Sequence, residues 1–574
     1  MKGIIPVICC GLLLSAIGGS AVRAQTTPPH GGTAKDGAVA VDAERLDLTS
    51  ATIADLNYAF VKGTLTSERL TEFYLARIAA YDKQGPAINA IISLNPNALA
   101  EARALDAERK AGKVRGPLHG IPVVLKDNYN TFDMPTTAGS QLLAGSVPPA
   151  DAFVVQKLRA AGAIILAKVN LSEFAAGGGS VIGATDPAIV KAGTVPDGFS
   201  SMGGQTLNPH DLTRGPGSSS GGVGAAIAAA FAQFGLGTDT AGSIRSPSAA
   251  NGIVGLKTTL GLVSRAGIVP LASFDVSGPM TRDVYDIAVA LSVIAGPDPA
   301  DDSTKLGAGK VQLDYTQFLK LGSLKGARLG IARDFWGQDA ETNRINEEAI
   351  TTMKERGAII VDPVRFPAYL LEIKQPLFVL IRNSEFKAMI AEYLRTLKPG
   401  YPRTLDELIA RASDPNGGYR SPEKLVGFKY TASVALDLND PVYLAAKNQG
   451  FEALRSGLQA IFAKYRLDAI VYPTSNRPAL FIKPETAPAN EPGAIGAPLM
   501  FADESGFPDL VVPAGITNRG LPIAISFLGQ AFSEPQLLGY AYDFEQATHA
   551  RVLPRNTPAL ANTGDVRITL PPHP

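Results

Sequence analysis

Residues 215–245 read GPGSSSGGVGAAIAAAFAQFGLGTDTAGSIR. A Gly/Ser turn opens the stretch. Small apolar residues follow, compatible with a helix from Val223 to about Phe234. A second Gly/Thr/Ser turn, Gly237 to Ser243, closes it. A serine in a glycine-rich turn ordinarily shapes that turn or caps a helix. Two such turns joined by one smooth apolar segment raise a sharper question: whether these serines carry chemistry.

The composition narrows the answer. The chain has 574 residues, 45% hydrophobic and 18% charged, ample for a large core. Lys+Arg and Asp+Glu both number 53, so no basic excess recommends a nucleic-acid partner. The 5 histidines form no HExxH or spaced Cys/His set, so neither a metal nor a cofactor is expected.

Lys2, an apolar Ile4–Ile17 run and Val22-Arg23-Ala24 read as a signal peptide over residues 1–24, cleaved near Ala24. The apolar run is short for a stable membrane span. The expected location is therefore periplasmic or extracellular. Cys9 and Cys10, the 2 cysteines, would leave with the signal, so no disulfide or thiolate nucleophile is expected. Residues 25–50 read as a flexible leader and 561–574 as a C-terminal tail.

Between them, helical and apolar segments alternate, which predicts a layered α/β domain over 51–560. Ser67–Tyr81 has a helical apolar face, and Val123-Val124-Leu125 reads as a short buried strand. Lys126 follows at that strand's C-terminal end, where open α/β sheets gather ligand groups. Gly177–Pro209 reads as an irregular insertion, Gly252–Arg282 as turn-rich, and Asp298–Gly326 as a polar linker.

Two local motifs compete for the serine turn. A phosphate-binding loop would need Gly-Lys-Ser/Thr after it, and none follows. Gly217-Ser218-Ser219-Ser220-Gly221 matches the G-x-S-x-G nucleophile elbow, for which Asp543 and His549 are available downstream. That elbow needs a preceding strand, whereas Thr206–Gly215 is turn-like.

Taken together, the motifs resemble the amidase signature family of serine hydrolases. Gly217–Gly222 stands where the family has GGSSGG, and GTDTAGSIR at 237–245 where it has G-T-D-x-G-G-S-I-R. GIPVVLKD at 120–127, NLSEF at 170–174, Gly255-Leu256-Lys257, GPMTR at 278–282 and SGFP at 505–508 are also similar. The resemblance runs from about Leu56 to His549 and is weakest between about 300 and 500. GFSSMGGQT at 198–206 is similar to the peptide-amidase-like branch.

The resemblance implies an α/β/α sandwich around a large mixed β-sheet, with a signature core at about 115–300 and a variable substrate-binding section at about 300–500. It implies a Ser–Ser–Lys triad with Ser243 as nucleophile, Ser219 as bridging serine and Lys126 as base. It places an oxyanion hole on the backbone N–H groups of Thr240, Ala241, Gly242 and Ser243, and substrate contacts at Met202 and Ser220. The partner implied is a small-molecule amide, such as a peptide amide.

The chemistry is coherent: a serine needs an adjacent base to attack an amide, and lysine serves only when burial makes it neutral. Esters or carbamates on the same triad, or an exported binding protein without chemistry, are the alternatives. A glutamine-dependent amidotransferase component shares the family, but export away from tRNA argues against it. Ala241 and Ser218 stand where the family has glycine, and relatives have a cis peptide before the bridging serine. Both raise a question about the turns.

Overall fold

The computed structural model describes residues 45–176, 181–269, 272–488, 499–560 and 565–567. Short apolar runs bounded by turns become strands here. In chain order they are β1 (Ile91–Leu94), β2 (Pro122–Lys126), β3 (Ile164–Val169), β4 (Phe234–Asp239), β5 (Val254–Lys257), β6 (Val276–Thr281), β7 (Arg328–Ala332), β8 (Ile359–Val364), β9 (Ala469–Pro473), β10 (Asp509–Ile516) and β11 (Pro522–Leu528).

Among the described residues these 11 strands form one mixed sheet, ordered β8-β7-β9-β11-β10-β5-β6-β4-β2-β3-β1. The β3-β2-β4 and β8-β7-β9 neighbours are parallel, and the other pairs are antiparallel. Every residue of β2, β3, β4, β6 and β11 is buried, so helices and loops cover both faces in the centre. This is the layered α/β architecture expected.

Several elements fall where periodicity places them. The Ser67–Tyr81 helix has its predicted bounds, with Leu70, Phe73, Tyr74 and Ile78 buried. Others differ. The helix of the opening stretch is only Gly221–Ala228. Ala230 turns the chain with φ 53°, and Phe234–Asp239 is strand β4, not the end of a helix and the start of a turn. Glycine makes this possible: a Cβ at Gly235 would lie 2.6 Å from Val223 Cγ1. Tertiary packing thus overrides the helical propensity of the alanine run.

The turn-rich segment 252–282 likewise contains β5 and β6. The 177–209 insertion holds a short helix, Pro187–Ala192, and a two-stranded hairpin, Phe199–Ser200 with Gly204–Gln205. Within 298–326, Tyr315 and Leu324 are buried, so the segment packs on the core and does not act as a loose linker.

The leader and tail boundaries shift. Arg45–Asp47 pairs antiparallel with Asp565–Arg567, and Leu46 and Leu48 are buried. The expected signal peptide, residues 1–24, lies outside the described residues. Among the described residues no helix is long and apolar enough to cross a membrane.

Candidate active site

The site is assembled by two parallel neighbours. Strands β2 and β4 run in parallel, Val123 beside Phe234 and Leu125 beside Leu236, so β2 ends level with Gly237, two residues before the end of β4. Lys126, the last residue of β2, reaches Thr238 on β4: its Nζ donates to Thr238 Oγ1 at 2.8 Å and to Ser219 Oγ at 2.7 Å. Lys126 has no solvent exposure. Burial pulls its amine down to about 7, with Asp239 and Asp275 opposing. A lysine in this state can accept a proton near neutrality.

The serine turn is pressed against residues 170–172. A Cβ at Gly222 would lie 2.1 Å from the Asn170 carbonyl oxygen, so only glycine fits there. The Ser172 N–H donates to the Ser219 carbonyl at 3.1 Å. Ser220 donates from Oγ to the Thr238 carbonyl at 3.1 Å, accepts the Thr238 N–H at 3.3 Å, and sends its own N–H to the Ser243 carbonyl at 3.2 Å. Its hydroxyl and N–H join both turns to β4 within the fold. Ser218 Oγ lies 3.1 Å from Ser243 Oγ, a contact that sequence reasoning missed.

Asp239, which ends β4, organises the second turn. Its carboxylate accepts N–H groups from Gly242 at 2.6 Å and Ile244 at 2.9 Å. The Gly242 N–H is therefore engaged within the turn, leaving Thr240, Ala241 and Ser243 from the expected oxyanion set. Arg245 pairs with Asp239 at 3.0 Å, Asp503 at 2.5 Å and Asp509 at 3.0 Å, all fully buried. Burial would raise the Asp239 carboxyl, but Arg245 and the N–H donors hold it well below the usual range. The Asp239–Arg245 ion pair is one edge of this larger cluster.

The two departures from the family pattern resolve simply. Gly242 carries the left-handed backbone, φ 100°, and Ala241 does not adopt positive φ, so a Cβ at 241 costs the turn nothing. Among the described residues the single cis peptide is Asp362–Pro363, so the peptide preceding Ser219 is trans.

Beyond Thr240 lies a small cavity of about 20 Å³ lined by Phe174, Asp275, Arg382 and Phe386. Burial pushes the Asp275 carboxyl up to about 7. A second cavity of about 40 Å³ shares Phe174, Arg382 and Phe386 and extends to Val181, Val195 and Lys424. The insertion and the 300–500 section both line it. Met202 sits on the hairpin turn, 37% exposed, its N–H bonded to the Gly139 carbonyl, and lines neither cavity.

The nucleophile-elbow reading fails. No strand precedes Ser219, Asp543 pairs with Arg356, and His549 is the left-handed cap of the Glu534–Thr548 helix. Among the described residues no His/Cys/Asp/Glu group could hold a metal.

The comparisons with known proteins agree with the motifs. The family model described as Amidase matches residues 69–538. A probable amidase of Arabidopsis thaliana is 35% identical over 88% of this chain and 92% of its own length. A glutamyl-tRNA(Gln) amidotransferase component from Thermoanaerobacter pseudethanolicus is 34% identical over 89% of this chain and 99% of its own. The structure of native peptide amidase from Stenotrophomonas maltophilia superposes with a TM-score of 0.76 at 39% identity, covering 88% of this chain and 98% of that one. With the family model, the sheet and the serine turns in agreement, this chain belongs to the amidase signature family and is similar to its peptide amidases.

Proposed function

We propose that this protein hydrolyses carboxamide C–N bonds through an acyl-enzyme on Ser243. The observation that carries the reading is the 2.7 Å contact from Lys126 to Ser219, with Lys126 fully buried and its amine lowered to about 7. In this reading the Ser243 hydroxyl turns from Ser218 to Ser219 and attacks the carbonyl carbon. Its proton passes through Ser219 to Lys126. Backbone N–H groups of Thr240, Ala241 and Ser243 hold the oxyanion. Lys126 returns the proton through Ser219 to the departing nitrogen, releasing ammonia or an amine. Water then cleaves the acyl ester by the same relay, giving the acid.

Similarity to a peptide amidase supports peptide amides as substrates. The leader motif supports export, which would place the enzyme in the periplasm or outside the cell. Similarity to amidotransferase components along nearly their whole length supports a second reading, in which ammonia is passed to a partner.

The test pairs a fluorophosphonate probe with amide assays on the protein alone. A covalent adduct on Ser243, located by mass spectrometry, and ammonia release from peptide amides are expected. Full activity in Ser243→Ala would overturn the assignment. Amide turnover that appears only with added partner proteins would favour the amidotransferase reading. Ester and carbamate analogues assayed in parallel rank the bond types, and a binding protein without chemistry would take up no label. His549→Ala should retain activity.

A further inference from the structure

Arg382 lies on the long Ala368–Thr396 helix, 8% exposed, and lines both cavities beside the serine turns. Its Nη1 donates to Asn383 Oδ1 at 3.1 Å, and its guanidinium lies 4.7 Å from the Phe386 ring centroid. Among the described residues it has no ion pair. Two of the carboxylates around it, Glu385 and Glu173, are engaged elsewhere. Glu385 pairs with Lys447 at 2.9 Å and accepts the Tyr443 hydroxyl at 2.7 Å. Glu173 accepts the Tyr419 hydroxyl at 2.7 Å and the Ser201 N–H at 3.0 Å. Asp275 Oδ2 accepts the Ala272 N–H at 2.8 Å. Glu423 lines the second cavity, and Lys424 beside it donates to the Ala176 carbonyl at 3.2 Å.

Asp275 favours its charge but makes no ion pair with it; a buried charge without an ion pair is costly, and a guanidinium is always protonated. Its planar fork matches a carboxylate with two parallel hydrogen bonds. The aromatic walls formed by Phe174, Phe386 and Phe428 exclude water from that contact. Asp275 Oδ1, buried without a hydrogen-bond partner among the described residues, offers an acceptor to an N–H of the same ligand. The cavity opens beside Thr240, one of the proposed oxyanion donors. If ammonia is the leaving group, whatever fills the cavity belongs to the acyl portion.

We propose that Arg382 determines acyl specificity by pairing with a side-chain carboxylate, so that the preferred substrates are amides of acidic amino acids. This rests on the amide-hydrolase reading above.

The test measures ammonia release from N-acetyl-glutamic acid α-amide and from its near-isostere N-acetyl-norleucine amide. The wild type should favour the glutamyl amide by ~10-fold or more in kcat/KM. Arg382→Met should lower glutamyl turnover by ~10-fold or more and leave norleucine turnover within about 3-fold, because the truncated contact is to the acidic substrate alone. Equal wild-type rates on the two amides would overturn the proposal, and this comparison needs no variant. An equal loss on both amides in Arg382→Met would also overturn it.

If neither amide is hydrolysed, the hydrolase reading fails, and calorimetric titration of the glutamyl amide into Ser243→Ala decides the Arg382 question separately. Binding lost on adding Arg382→Met supports the carboxylate site. Binding unaffected by it, or no binding at all, refutes the site.

Discussion

The hydroxyl of Ser243 lies 3.1 Å from that of Ser218, while the hydroxyl of Ser219 is held at 2.7 Å by Lys126. Two adjacent serines on one turn therefore face opposite halves of the proposed relay. In the resting arrangement the Ser243 hydroxyl is paired with Ser218, not with the bridge, and a rotation of a small side chain separates rest from reaction.

This division ranks two variants. Ser219→Ala should lower kcat by ~10²–10⁴-fold, the scale of a lost proton-transfer group. Ser218→Ala leaves the Lys126–Ser219 contact intact and should cost less than ~10-fold, since it removes only a neutral ground-state hydrogen bond. Steady-state kinetics on a peptide amide gives the order, and the reverse order would make Ser218 the bridge.

The pH profile follows from Lys126. The amine must be neutral to take a proton, and burial places its midpoint at about 7. Activity, read as kcat/KM, should therefore rise as pH increases through about 7 and level off above it. Asp275 titrates in the same range, pushed up to about 7 by burial. Asp275→Asn should keep the rising limb if Lys126 causes it. Lys126→Arg should be inactive at every pH because a guanidinium stays protonated.

Stability moves in the same direction. Between about 7 and 10.5 the unfolded chain holds a proton on Lys126 that the folded chain has released, so stability rises with pH across that interval. Urea denaturation of wild type and Lys126→Met at several pH values should show a flatter slope in the variant.

Arg245 should be less forgiving than the triad positions. Removing it leaves three fully buried carboxylates, Asp239, Asp503 and Asp509, without their common counter-charge. Arg245→Met should cost ~3–5 kcal/mol, the range for breaking a buried pair from one side. Equilibrium denaturation measures it, and a loss below ~1 kcal/mol would mean that surface-like screening operates there.

Gly222→Ala tests the close approach of the serine turn to residue 170. The added methyl would sit 2.1 Å from a backbone oxygen, which cannot rotate away. A loss of ~1–3 kcal/mol is expected, seen as a lower Tm, with a fall in kcat as the turn bearing Ser219 shifts.

What was legible in the sequence was what local pattern determines. Ser67–Tyr81 shows an apolar stripe, and its helix has the bounds the stripe predicts. Lys126 follows an apolar run, and it ends a buried strand. Strand β4 was missed because FGLGTD, buried on both faces, shows no alternation, and its glycines imitate a turn. β6, VSGPMT, hides in the same way.

In the site, the motif positions Lys126, Ser219, Thr240 and Ser243 carried over from the resemblance. The Ser218–Ser243 contact, the engagement of the Gly242 N–H by Asp239 and the unpaired Arg382 were not readable. Each depends on side-chain direction or on a partner far along the chain. The two hydroxyls of Ser218 and Ser243, for example, meet only because Ser220 draws both turns onto β4.

The Arg245 cluster also sets when the enzyme can exist. Lys126, Ser219 and Ser243 all leave the ribosome well before Asp503 and Asp509 do. Until those last two carboxylates arrive, Asp239 is the one carboxylate of this cluster beside the guanidinium, and β10 is not there to close the seam against β5. The proposed catalytic residues are thus synthesised early and assembled late. A partly made chain carries the reactive groups in its sequence but has no working centre with which to attack its surroundings.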